Sequence, residues 1–118
     1  MKTIALGHLQ FLLLNSDIKF QLDIYTLEQH SIRVKINEIN PLRKRYEVEH
    51  SLANQPKLVD VSLTKLDENY LEGQFGKLGK FLLQAKPFRL DLFSNDQLVM
   101  SMNSKNLFHF EHYRNKSE

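Results

Sequence analysis

Apolar and polar residues alternate with a period of two over most of this chain, the pattern of strands that bury one face. The clearest stretch is PFRLDLFSNDQLVMSMNSKNLFHFEH, from Pro87 to His112. Phe88, Leu90 and Leu92 alternate there with Arg89 and Asp91, and after a turn at Ser94, Asn95 and Asp96, Leu98, Met100 and Met102 alternate with Gln97 and Ser101. Asn103 to Asn106 make a second turn, because asparagine and serine tolerate turn backbones. Leu107 to His112 then places Phe108, Phe110 and His112 on one face and Leu107, His109 and Glu111 on the other. The whole stretch predicts a meander of three strands.

The first half repeats the pattern. Phe20, Leu22 and Ile24 oppose Gln21 and Asp23, and Ile32, Val34 and Ile36 oppose Arg33 and Lys35, so each segment predicts a half-buried strand. Leu9 to Leu14 is apolar on both faces. The polar turn from Asn15 to Asp17 and the strand beyond it favour a buried strand in a hairpin over a helix. Pro41 and Arg43 to Arg45 predict an exposed loop leading to Tyr46 and Val48, and Asn54 to Pro56 a further turn. Val59, Val61 and Leu63 alternate with Asp60, Ser62 and Thr64, and Asp67 to Asn69 turns the chain. Tyr70 to Phe75 and Lys80 to Ala85 flank the loop from Gly76 to Gly79. No window shows a helical stripe, and nine or so short, evenly spaced strands predict an all-β fold, an antiparallel β-sandwich forming a single domain over residues 1–118.

Composition narrows the class without choosing a function. At 118 residues the chain has the size of one domain, able to bury about two-thirds of its unfolded surface. A hydrophobic share of 42% and a charged share of 25% are ordinary for a globular protein, and a net charge of +2 implies no electrostatic partner such as nucleic acid. The chain has no cysteine, which excludes a disulfide framework and a thiolate metal site. The opening MKTIALGHLQFLLL has the lysine and apolar run of a signal peptide, but His8 and Gln10 interrupt it and no small-residue cleavage site follows. Its longest apolar run, Phe11 to Leu14, is far shorter than a membrane span.

Chemistry-bearing groups are scattered. General acid–base chemistry calls for two carboxyl groups that face one substrate. Glu47 and Glu49 on one strand face, and Asp67 and Glu68 in a turn, are the available pairs, and a solvated position suits both better. His109 and His112 are three residues apart, so on a strand they point to opposite faces and make a poor metal pair. His8, His30 and His50 are dispersed in sequence with no nucleophile beside them. Arg43, Lys44, Arg45 and Tyr46 form a small basic and aromatic patch, most simply a solvated loop next to Glu47 and Glu49. Gly73, Gly76 and Gly79 lack the Lys-Ser/Thr ending and following helix of a phosphate cradle and predict a β-turn. Asn115, Lys116 and Ser117 spell a glycosylation sequon, so Asn115 is a candidate site for a chain in the secretory pathway. No catalytic, substrate-binding or metal residue and no cofactor is assigned.

Two blocks carry a family resemblance. PFRLDL, S-x-N and an apolar pair closing on FEH, together with RVKINEINPLRKRYEV from Arg33 to Val48, resemble the galactose-mutarotase-like N-terminal domain of family 31 glycoside hydrolases, in particular its glucosidase II type. The resemblance covers residues 9 to 113. Where relatives place glycine before the last strand this chain has Asn106, the next most tolerant residue for a left-handed backbone. Where relatives continue Pro-Asp-Val-Leu it has Glu49, His50, Ser51 and Leu52. The resemblance implies a non-catalytic domain packed on a (β/α)8 barrel of the same parent chain, whose catalytic aspartate lies in a Trp-x-Asp-Met-Asn-Glu stretch. This chain contains no tryptophan and so lacks that stretch. The implied parent is a retaining α-glucosidase that trims terminal α-linked glucose from N-linked glycans in the endoplasmic reticulum lumen, with a regulatory β-subunit as partner. A cytoplasmic enzyme acting on glycogen-like α-glucans is the alternative within the family, and a freestanding carbohydrate- or protein-binding sandwich the alternative outside it.

Overall fold

The computed structural model describes residues 2–15, 18–40, 46–48, 50 and 52–107. Nine strands run through the described residues. They are β1 (Lys2–Ala5), β2 (His8–Asn15), β3 (Ile18–Leu27), β4 (Ser31–Glu38), β5 (Val61–Leu66), β6 (Tyr70–Phe75), β7 (Gly79–Gln84), β8 (Arg89–Ser94) and β9 (Gln97–Met102). Within each of two sheets, the four-stranded β1-β2-β3-β4 and the five-stranded β5-β6-β7-β8-β9, every strand pairs antiparallel with the next in sequence. The fold is an antiparallel β-sandwich.

Alternation decides which face of each sheet turns inward. Leu9, Leu22 and Ile24 from the four-stranded sheet meet Leu71, Phe75, Phe81, Leu83 and Leu90 from the five-stranded sheet in one buried cluster. Phe75 and Phe81 pack at a ring-centroid distance of 6.4 Å with tilted planes, within the favourable range for aromatic pairs. Phe81 fits because its neighbour across the hairpin is Gly73, where an added Cβ would lie 2.6 Å from the Phe81 ring.

The chain passes from one sheet to the other beside the end of β3. Thr26 donates its backbone N–H to the Gly7 carbonyl at 2.8 Å and accepts at its own carbonyl from the Val59 N–H at 2.9 Å. Leu58 bridges Leu27, so the run up to Val59 takes the place beside β3 that β2 vacates at its turn. The Thr26 hydroxyl, fully buried, donates to the Val59 carbonyl at 2.7 Å. Gly7 is required at this junction: its φ is +70°, and a Cβ there would sit 2.3 Å from the Val59 carbonyl oxygen.

Most predicted strands are present. The strand expected from Leu9 to Leu14 is present as part of β2, with Leu9 1% exposed in the core, and the structure adds an edge strand, Lys2–Ala5, that the alternation does not mark. Tyr46 and Val48 lie outside any strand with 88% and 66% of their surfaces exposed, which removes the strand face expected to align Glu47 with Glu49. In β9 the expected single face of Leu98, Met100 and Met102 is broken. Leu92 pairs with Met100 but Phe93 pairs with Leu98, so Val99 is the extra residue of a β-bulge and Leu98 turns outward beside Phe93. Asn106 has a φ of 56°, the left-handed backbone expected of a residue in glycine's place. The strand expected from Leu107 to His112 falls outside the described residues after Leu107.

Candidate functional site

Polar side chains gather on the outer face of the four-stranded sheet. Register sets them in rows across β2, β3 and β4: His8, Tyr25 and Arg33 in one row, Gln10, Asp23 and Lys35 in the next. Asp23 is the centre. Its residue is 3% exposed although its side chain leaves the core. One carboxyl oxygen accepts from His8 Nε2 at 2.8 Å and from Gln10 Nε2 at 3.4 Å, and the other from Gln21 Nε2 at 2.9 Å. Burial pushes the Asp23 carboxyl up, but the hydrogen bonds from Gln21, His8 and Gln10 outweigh it and hold its pKa below the ordinary value.

The next row is a stack. The His8 and Tyr25 rings lie 4.2 Å apart at 22°, and the Arg33 guanidinium sits 5.8 Å from the Tyr25 ring centre. Beside Tyr25 an open cleft of about 390 Å³ is lined by Tyr25, Leu27, Arg33, Lys35, Gln55, Pro56 and Leu58. Lys35 is also 3.3 Å from the carboxylate of Glu47, an exposed surface pair.

This arrangement holds a surface in place. Asp23 accepts on both oxygens from its neighbours, and none of the described partners of His8 is a hydroxyl or thiol that it could activate. The histidine and aspartate escaped the sequence because fifteen residues separate them. Hairpin register is the signal that joins them: once Asn15 pairs with Ile18, Gln10 must face Asp23 with His8 diagonal to it.

The other sequence candidates are dispersed. Asp67 Oδ1 accepts from the backbone N–H groups of Asn69 and Tyr70 at 2.7 and 3.0 Å, so it shapes the β5–β6 turn, and Glu68 is exposed there. His30 lies in the β3–β4 loop, 2.9 Å from the Ser94 hydroxyl, and His50 is exposed. Gly73 lies in β6, Gly79 opens β7, and Gly76, with a φ of 60°, begins the loop between them. Among the described residues no group of three or more His, Cys, Asp or Glu is placed to hold a metal ion. No described helix is long and apolar enough to cross a membrane. Arg43, Lys44, Arg45, Glu49, His109, His112 and the sequon at Asn115 lie outside the described residues.

Two sheets in simple up-and-down order around one buried cluster define an antiparallel β-sandwich. The chain belongs to the family described as the glycosyl hydrolase 31 N-terminal galactose mutarotase-like domain, which it matches over residues 21–118. It is 36% identical over 94 residues to neutral alpha-glucosidase AB of Homo sapiens, covering 79% of this chain and 10% of that protein. The corresponding figures for neutral alpha-glucosidase AB of Sus scrofa are 35% over 94 residues, 79% and 10%. For neutral alpha-glucosidase C of Homo sapiens they are 36% over 106 residues, 87% and 12%. The chain spans about a tenth of the length of these relatives.

Proposed function

We propose that this chain is the non-catalytic β-sandwich of a larger retaining α-glucosidase, working as a support for a catalytic barrel in the same parent polypeptide. The observation that carries the reading is the family match over residues 21–118 to a domain that occupies only about a tenth of its alpha-glucosidase relatives. The geometry agrees with it. Among the described residues Glu47 lies in an exposed segment and Asp67 and Glu68 in a turn, and the two buried carboxylates, Asp23 and Asp91, accept hydrogen bonds from neighbours in their own sheets.

The parent trims terminal α-linked glucose from N-linked glycans in the endoplasmic reticulum lumen, with a regulatory β-subunit as partner and the oligosaccharide reaching the barrel rather than this sandwich. Two relatives bear the name neutral alpha-glucosidase AB and another neutral alpha-glucosidase C, which keeps a cytoplasmic enzyme of glycogen-like α-glucans as the second reading. The test is to assay the full-length gene product against a chromogenic α-glucoside, following the anomer released by NMR, and then to compete a glucosylated N-glycan against glycogen. Release of α-glucose with the N-glycan preferred is the expected outcome. A full-length product without α-glucosidase activity contradicts the reading, and a preference for glycogen selects the second one.

A further inference from the structure

Among the described residues, nothing pairs with the far edge of the five-stranded sheet along β9. Leu98, Val99 and Met100 are 54%, 59% and 64% exposed, and Leu107, just past the following turn, is 76% exposed. These side chains do not share one face. Leu98 pairs with Phe93, whose ring lies 4.8 Å from the Lys80 ammonium on the outer surface, whereas Met100 pairs with Leu92, which packs against the core. Val99 is the bulged residue between them. Apolar groups therefore emerge on both faces of the last strand, which also has no described strand hydrogen-bonded to its far edge.

A solvated edge strand is ordinarily protected by charge, proline or a bulge. β9 has the bulge at Val99 but neither charge nor proline from Gln97 to Ser101. The two sheets are also unequal, five strands against four, and the inward-facing Met100 remains exposed on the last strand of the wider one. A single added strand would satisfy the backbone edge. Covering Leu98 on one face and Met100 on the other requires a body that wraps the edge.

We infer that the β9 edge, with Leu98, Val99 and Met100 at its centre, is the surface through which this sandwich docks onto the part of the parent polypeptide outside this chain. The occupant follows from length, because the chain accounts for about a tenth of each alpha-glucosidase relative and the parent supplies the remaining body. Large apolar side chains exposed together along one strand edge mark an interaction surface. By contrast, the outer face of the four-stranded sheet is occupied by the Asp23 cluster, whose polar groups satisfy one another. The inference rests on the proposed α-glucosidase parent and adds where the two parts meet.

The test uses the full-length gene product with a photoreactive benzoylphenylalanine in place of Val99, irradiated and mapped by mass spectrometry, together with peroxide oxidation of Met100 in the unsubstituted protein. Cross-links to parent residues beyond 118, with Met100 oxidised about tenfold or more slowly than a solvent-exposed methionine, are the expected result. Cross-links confined to residues 1–118 or joining two copies, or oxidation of Met100 at the exposed rate, would overturn it. Hydrolysis of a chromogenic α-glucoside by the same sample is scored separately, so an active enzyme with a free β9 rejects the docking surface alone, and an inactive one rejects the parent's assignment.

Discussion

Asp23 shows how a single charged residue is retained on a sheet face that the core does not need. Its carboxylate is desolvated, and hydrogen bonds from His8, Gln10 and Gln21 offset that cost. Replacing Asp23 with Ala leaves three donors without their acceptor and is expected to cost about 1–3 kcal/mol, read from the denaturant midpoint. The pH dependence has a definite sign. The folded pKa lies below the ordinary value of 3.8, so the stabilisation is present above that value and disappears as pH falls through the folded pKa. Asp23→Asn should flatten the stability curve in that acid range relative to the parent chain; an unchanged slope there would show that Asp23 is not the responsible group. Within the core, Phe81 is fully buried, and Phe81→Ala is expected to cost about 3–5 kcal/mol by thermal or denaturant unfolding. Gly73→Ala pushes a methyl group into the same ring and should cost about 1–3 kcal/mol.

Elements form here where alternation, turn chemistry and register agree. The β8–β9 hairpin is closed by Asn95 and Asp96, with φ angles of 52° and 61°, between paired Ser94 and Gln97. Two consecutive positive φ values fit the type I′ turn that matches strand twist, and asparagine and aspartate tolerate them better than branched residues do. Asp96→Gly should therefore leave stability unchanged or raise it by up to about 1 kcal/mol, whereas Asp96→Val should lower it, with thermal midpoints as the measurement. Such turns were legible because their residues declare themselves, as were the strands containing Leu22, Ile24, Phe75 and Phe81. Other features depend on pairing between distant segments. The bulge at Val99 moves Leu98 to the outer face without any local signal, and β1 is stabilised by pairing with β2 although its own sequence shows only a short mixed run. The Asp23 cluster was half visible: the outward positions of Gln21 and Asp23 follow from alternation, while the meeting of His8 and Gln10 with Asp23 needs the hairpin register.

At the scale of the whole molecule, the sandwich is well closed at its centre and apolar at the β9 edge. A chain with Leu98, Val99 and Met100 facing solvent on two sides is expected to bind an environment-sensitive apolar dye more strongly than an ordinary monomer of its size. Substituting Leu98 and Met100 together with Lys should return the fluorescence to the ordinary level. The resemblance carried by PFRLDL, FEH and the Arg33 to Val48 block agrees with the family match, and what it could not supply from sequence alone is the face that meets the parent. The division of labour between support and chemistry is tested most directly by incubating residues 1–118 alone with a chromogenic α-glucoside. No turnover above the uncatalysed rate is expected. Turnover that Asp23→Asn, Glu47→Gln or Asp67→Asn abolishes would place a catalytic carboxylate inside this sandwich and contradict its role as a support.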